Sequence, residues 1–298
     1  MPASVEWKYV NKPSYLIFLL LAFVLSGCAG QGAKKTLSSG QDSLFEETTV
    51  SDNADEALKL AHLLRDNGRL KAAYEVYAKM DEKGQLAGPF LVEYASIASY
   101  VIPGSDVISL YQRAEASLGK EITTAQQQAI CSGLGRAYLA TIQLNKASEK
   151  FHCALQISAK SVPALNGLGV IASMNGDAAG AQAMFQQALD IAPSNELVIN
   201  NLSLSWMTSQ DYQKAISLLK TKRNSDNIST RLNLALAYVL YDREDMAREL
   251  LTHSIARDKA EKILARYVSA RSRIQNGSEI SAEILSLTNS PFELKDEA

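Results

Sequence analysis

Two consecutive windows of 34 residues, beginning at Gln128 and Val162, carry the same residue types at the same offsets. The first reads Leu134-Gly135, Tyr138, Ala147, Phe151, Ala154; the second reads Leu168-Gly169, Ala172, Ala181, Phe185, Ala188 and closes on Pro193. A helix pair of this length cannot bury its own apolar stripe, so each pair must stack on its neighbours. Small residues belong where two helices cross closely, which places Gly135, Gly169, Ala147 and Ala181 at crossings, and Tyr138, Phe151 and Phe185 fill the volume between.

The register runs on in both directions. Glu196 opens a window with Leu202, Trp206, Ala215 and Leu219, and Ile228 opens another with Leu234, Ala235, Tyr238, Ala247 and Leu251. Upstream, Ala54 leads Leu60, Ala61, Leu64, Ala73 and Tyr77, and Gly88 leads Tyr94, Ala95, Ala98, Tyr111 and Ala114. The Gly88 window fits least well, because Ile102-Pro103-Gly104 interrupts it and residues 120–124 fall outside the frame. Gly68, Gly176, Ser209-Gln210-Asp211 and Tyr241-Asp242-Arg243 fall between the two helices of their windows, where Gly and Asp accept unusual backbone angles. Residues 260–276 keep helical periodicity through Ile263, Leu264, Tyr267, Val268 and Ile274, with Lys262, Arg266, Arg271 and Arg273 elsewhere, as expected of a helix that covers the last apolar face of a stack. Gly277 ends it; residues 281–287 have the makings of one more short helix, and residues 291–298 read as a tail.

These positions resemble the tetratricopeptide repeat, residue for residue in the two best windows. The resemblance implies an all-α superhelical solenoid of antiparallel helix pairs with a C-terminal capping helix. It divides the chain into about six repeats over residues 54–259 and a capping helix with tail over residues 260–298.

The leading end predicts where such a stack is held. Lys8 and Lys12 precede an apolar run over residues 16–25, too short to cross a bilayer comfortably and suited to a secretory signal peptide. Leu25-Ser26-Gly27-Cys28 then resembles the lipobox of bacterial lipoproteins, which implies a signal peptide over residues 1–27, cleavage before Cys28, and lipid on the Cys28 thiol and on the new amino terminus. The alternatives are an ordinary secretory signal or a short anchor. Several acyl chains at about 0.8 kcal/mol per buried methylene make attachment effectively permanent. Ala29 is not the aspartate that retains lipoproteins at the inner membrane in many double-membrane bacteria, so an outer-membrane, periplasm-facing destination is favoured. Residues 28–53 then form a lipidated tether; its Ser, Thr, Gly and Asp content predicts a flexible coil spanning on the order of 25–30 Å.

Two further cysteines, Cys131 and Cys153, fall early in the first helix and late in the second helix of one window, and antiparallel packing brings such positions opposite each other. Export favours a disulfide between them; two buried free thiols are the alternative.

Catalytic chemistry is not expected. His62, His152 and His253 lie in different repeats without metal-ligand spacing, His152 and Cys153 are adjacent and so diverge on a helix, and no nucleophile elbow or phosphate loop occurs. Asp242 and Asp245 lack calcium-loop spacing. A formal net charge of −2 gives no general attraction to nucleic acid. The chain therefore reads as a non-enzyme with no cofactor, metal or small-molecule substrate.

What the repeat family implies instead is a concave surface lined by first helices. Its groove offsets fall on Arg136 and Leu139; on Asn166, Val170 and Met174; on Asn200, Leu204 and Met207; and on Leu232, Leu236 and Leu240. Apolar rows flanked by Asn suit an extended or helical peptide, while some of these positions have packing between helices as their alternative role. The lone Arg136 does not make a carboxylate clamp.

Three later segments, Ala164-Leu165-Asn166-Gly167-Leu168-Gly169-Val170, Asn200-Asn201-Leu202-Ser203-Leu204-Ser205 and Arg231-Leu232-Asn233-Leu234-Ala235-Leu236-Ala237-Tyr238, together with the Cys28 lipobox, are similar to the TadD family of tetratricopeptide lipoproteins in tight-adherence (Flp) pilus systems. That resemblance implies an outer-membrane factor that helps a pilus secretin localise or assemble. A type IV pilus pilotin and an adaptor that recruits peptidoglycan hydrolases remain open beside it, and the early repeats match only the generic pattern.

Overall fold

The computed structural model describes residues 53–289 except 224 and 226. Cys28, the leader and the tether up to residue 52 lie outside the described residues. The chain runs through α1 (Ala54–Asp66), α2 (Leu70–Glu82), α3 (Pro89–Ala98), α4 (Gly104–Leu118), a 3₁₀ turn (Gly119–Glu121), α5 (Thr124–Ala140), α6 (Leu144–Ile157), α7 (Val162–Met174), α8 (Ala178–Ile191), α9 (Glu196–Thr208), α10 (Tyr212–Lys220), α11 (Ile228–Leu240), α12 (Glu244–Ser254), α13 (Arg257–Gln275) and α14 (Ile280–Asn289). Among the described residues there is no strand. The architecture is all-α: a solenoid of helix pairs.

Helix starts follow from local chemistry. Four first-turn donors of any helix lack intrahelical partners, and short polar side chains just upstream supply acceptors. Asn53, Asp177, Asn195 and Asn227 do this for α1, α8, α9 and α11. Thr123 and Gln126 form a reciprocal capping box that starts α5 at Thr124, upstream of the repeat frame's Gln128. In every pair but α3–α4 the turn between the paired helices holds one residue at positive φ. Gly68 and Gly176 fill it at φ 72° and 79°, Gln210 and Asp242 at 63° and 59°, and Ile142 at 58° in the α5–α6 turn.

Packing then builds the stack. Each helix touches the next, and from α3 onward each first helix also touches the first helix of the following pair: α3 with α5, α5 with α7, α7 with α9, α9 with α11, α11 with α13. The second helices make no comparable contacts with one another, so the first helices form the closer, inner row. Glycines permit this approach. A Cβ on Gly135 or Gly169 would lie 2.6 Å or 2.5 Å from the ring of Phe151 or Phe185 in the same pair. Gly133 and Gly167 have the same relation to the preceding pair, at 2.1 Å from Tyr111 and 2.2 Å from Phe151. Each of these buried rings contributes about 1.5–3 kcal/mol on burial, and only because glycine leaves it room.

Polar ties reinforce the ends and the middle. Near the start, Glu93 Oε2 on α3 lies 2.8 Å from His62 Nε2 and accepts from Tyr77 Oη at 2.9 Å and Arg65 Nη1 at 3.1 Å, which joins α1, α2 and α3. Burial, with the bond to Glu93 next, raises the Tyr77 phenol. In the middle, a disulfide links Cys131 on α5 to Cys153 on α6, with Cα atoms 5.9 Å apart.

At the far end, α13 begins at Arg257, before the residue 260 expected from the loss of the repeat frame. Arg271 is not a solvating charge on this helix: it donates to the Val239 carbonyl at 3.1 Å, pairs with Asp242 at 3.0 Å, and also binds Glu244. These contacts clamp α13 onto the α11–α12 turn, and α14 follows after Gly277.

Candidate functional site

The inner row is where the sequence places a binding surface, and its residues do not share one environment. On α5, Arg136 is half-buried with its guanidinium 5.9 Å from the centre of the Tyr100 ring, and Leu139 packs partly against the core. On α7, Val170 is half-buried and Met174 is 50 % exposed. On α9, Leu204 is half-buried.

The other four candidate apolar residues and one of the amides are core. Met207, Leu232, Leu236 and Leu240 are all buried, so in this conformation they pack between helices and do not line an open surface. Asn200 is buried too, and its amide is occupied within the stack: it donates to Thr230 Oγ1 at 3.0 Å and accepts from Asn233 Nδ2 at 3.1 Å. Both partners sit on α11, so Asn200 fixes α9 against the next first helix. Asn166 Oδ1 likewise accepts from Asn201 Nδ2 at 2.8 Å, which joins α7 to α9. The physical reason is common to all four amides. A desolvated amide between helices must find a partner, and the neighbouring repeat offers one at the same height.

Two residues join the site that the groove offsets of the sequence reading passed over. Leu197, in the first turn of α9, is 62 % exposed. Spacing of i, i+4 and i+7 sets Leu197, Asn201 and Leu204 on one side of α9. Asn166, Val170 and Met174 form a neighbouring stripe on α7, and the Asn166–Asn201 bond holds the two stripes side by side. The open part of the row is therefore an apolar surface with two amides at its centre. The second position of the Glu196 window carried the missing signal, since the offsets used began later in the helix.

Among the described residues no three His, Cys, Asp or Glu side chains gather to hold a metal ion. His62 is engaged with Glu93, and His152 and His253 are exposed on α6 and α12. A charged hollow on α12 and α13 is lined by Asp245, Arg248, Glu249, Thr252, Arg257 and Glu261, and inside it Arg248 pairs with Glu261 at 2.9 Å.

Solved structures share this architecture. The chain superposes on a tetratricopeptide repeat protein from Parabacteroides merdae with a TM-score of 0.53 and 14 % identity, covering 82 % of this chain and 88 % of that one. This is a tetratricopeptide-repeat fold. The APC/C hetero-tetramer Cut9-Hcn1 also matches, with a TM-score of 0.60 and 20 % identity over 72 % of this chain, although only 43 % of that longer chain is spanned. No family model matches the sequence, and no curated protein matches it. At these identities the likeness is one of fold, and within the tetratricopeptide-repeat fold the open stripes of α7 and α9 belong to the inner row of first helices.

Proposed function

We propose that this chain is a protein-binding scaffold, an outer-membrane lipoprotein that serves tight-adherence (Flp) pilus assembly by holding a segment of the pilus secretin or another assembly component against its first helices. The observation that carries the binding role is the paired stripe of Asn166, Val170 and Met174 with Leu197, Asn201 and Leu204. Apolar contacts there supply affinity for a peptide, and the Asn166–Asn201 bond fixes the spacing of the two stripes. The Cys131–Cys153 disulfide supports residence in an oxidising compartment, where such bonds persist. Among the described residues no helix is long and apolar enough to cross a membrane; the anchor in this reading is the lipid on Cys28. The pilus assignment draws on the resemblance of the later repeats to the TadD family.

A photo-crosslinking amino acid at Met174 in the full-length protein, expressed in its own host, tests the reading. Crosslinks to a secretin or to another pilus component are expected. Crosslinks only to cell-wall hydrolases would replace the pilus role with an adaptor role. In parallel, Cys28→Ser should release the protein from membranes washed at alkaline pH, and its retention would refute lipid anchoring.

A further inference from the structure

The inner row is open at α7 and closed at α11. At equivalent heights in the repeat, Asn166 and Val170 are half-buried and Met174 is 50 % exposed, whereas Leu232, Leu236 and Leu240 are 9 %, 1 % and 6 % exposed. The difference coincides with α14. This helix touches α13 and α9, the members of the first-helix row on either side of α11, so it lies across the span that α11 occupies. Ile284 and Leu287, each 4 % exposed, enter the same apolar cluster as Leu232, Leu236 and Leu240, with Ile280 packed at its edge.

The spacing of Ile280, Ile284 and Leu287 is i, i+4, i+7, the pattern by which an amphipathic helix lies in a groove. The segment also supplies its own helix start. The Glu279 carboxylate accepts from the Ser281 and Ala282 backbone amides at 3.1 Å and 2.8 Å, so the start of α14 is capped from within. Gly277, at φ 99°, separates it from α13. Its outer face leaves Leu285 59 % exposed, and a two-pronged ion pair from Arg273 to Glu283, at 2.8 Å and 2.7 Å, fastens its first turns to α13.

We propose that the inner face of α9 and α11 is a seat for an amphipathic helix carrying Ile or Leu at i, i+4 and i+7, and that α14 is its intramolecular occupant, displaced by a partner helix of the same pattern. This rests on the scaffold reading above and is independent of the pilus assignment. The apolar row Leu232, Leu236 and Leu240 is then a second half of the binding surface, continuous with the open stripes of α7 and α9, and exposed only when α14 leaves. Tethering gives α14 a high effective concentration, so a free helix competes poorly until that contact is weakened.

The probe is a fluorescein-labelled synthetic peptide of residues 278–291, added to the full-length protein and to its Ile284→Glu/Leu287→Glu variant. Anisotropy should show saturable binding to the variant at least about tenfold tighter than to the unmodified protein. A peptide with the same two substitutions should not bind. A variant that keeps its helical circular dichroism and cooperative melt yet fails to bind the peptide overturns the proposal. If the variant loses its cooperative melt, hydrogen exchange in the unmodified protein decides: α14 amides exchanging about tenfold or more faster than those of α11 support a displaceable helix, and equal rates overturn it. None of these readouts involves a pilus protein, so they separate from failure of the crosslinking experiment.

Discussion

Gly167 on α7 lies against the ring of Phe151 on α6: a Cβ built on the glycine would stand 2.2 Å from Phe151 Cζ. The contact crosses from one helix pair to the next, so it reports on stacking and not on the folding of a single pair. Gly167→Leu should therefore separate α7 from α6 and destabilise the protein by about 1–3 kcal/mol, the usual range for overpacking. Urea unfolding followed by circular dichroism measures it; an unchanged midpoint would contradict the close approach.

Ile142 occupies the turn position that Gly68 and Gly176 occupy in other pairs, at φ 58° and with 71 % of its surface exposed. A β-branched residue is strained there, by about 1–2 kcal/mol relative to the right-handed region, and its side chain gains little from packing. Ile142→Gly should relieve that strain and lose part of the gain to unfolded-chain entropy, leaving a net stabilisation of up to about 1 kcal/mol. Calorimetry should show a higher melting temperature, and a lower one would mean the left-handed turn is not populated.

The disulfide between Cys131 and Cys153 closes a loop with a sequence separation of 22. Constraint of the unfolded chain by a loop of that size is worth roughly 3 kcal/mol. Cys131→Ser/Cys153→Ser, or dithiothreitol, should lower stability by about that amount. Equal denaturation curves with and without reductant would count against the bond.

Asn200 bridges α9 to α11 through Thr230 and Asn233, and all three are buried. Asn200→Ala leaves two buried polar groups without their partner and should cost about 1–3 kcal/mol. Asn200→Ala should also loosen α11 selectively, visible as faster amide exchange from residues 228–240 than from residues 124–140. Uniform acceleration along the chain would show that the amide does not act as a local tie.

The docking of α14 should depend on acid pH. The Ser281 hydroxyl and the Ala282 amide hold the Glu279 carboxyl below its usual range, and the Arg273 pairing does so for Glu283. A carboxylate depressed in the folded state contributes stability that is present above its unfolded pKa and is lost as pH falls through the lower folded value. Protection of the Ile284 and Leu287 amides, corrected for intrinsic exchange, should thus decline as pH falls from about 5 towards 3. Constant protection across that interval would remove both carboxylates from the account.

How far the chain was readable from its letters varies along it for physical reasons. Repeats that bury the same atoms in the same places leave the same residues at the same offsets, so α1, α7, α9 and α11 begin at Ala54, Val162, Glu196 and Ile228, the first residues of their windows. The Gly135–Phe151 and Gly169–Phe185 contacts were legible for the same reason, while the Gly167–Phe151 contact belongs to the next pair and is invisible within one window. The site was harder. An asparagine that bonds the neighbouring helix has the same pattern as one awaiting a peptide, so Asn166 and Asn200 gave no sign of which they were. Burial of Leu232, Leu236 and Leu240 coincides with a ten-residue helix far downstream, and an apolar stripe announces that such a helix will dock without saying where.

The covalent clasp in the α5–α6 pair also divides the rod mechanically. Because each pair leans mainly on its neighbours, a pull on the leading end peels α1 to α4 in turn, and the force then meets a closed ring of chain that cannot lengthen. Tension then passes through the sulfur–sulfur bond from Cys131 to Cys153 and on to α7, so the ring withholds residues 132–152 from extension as long as it stays oxidised.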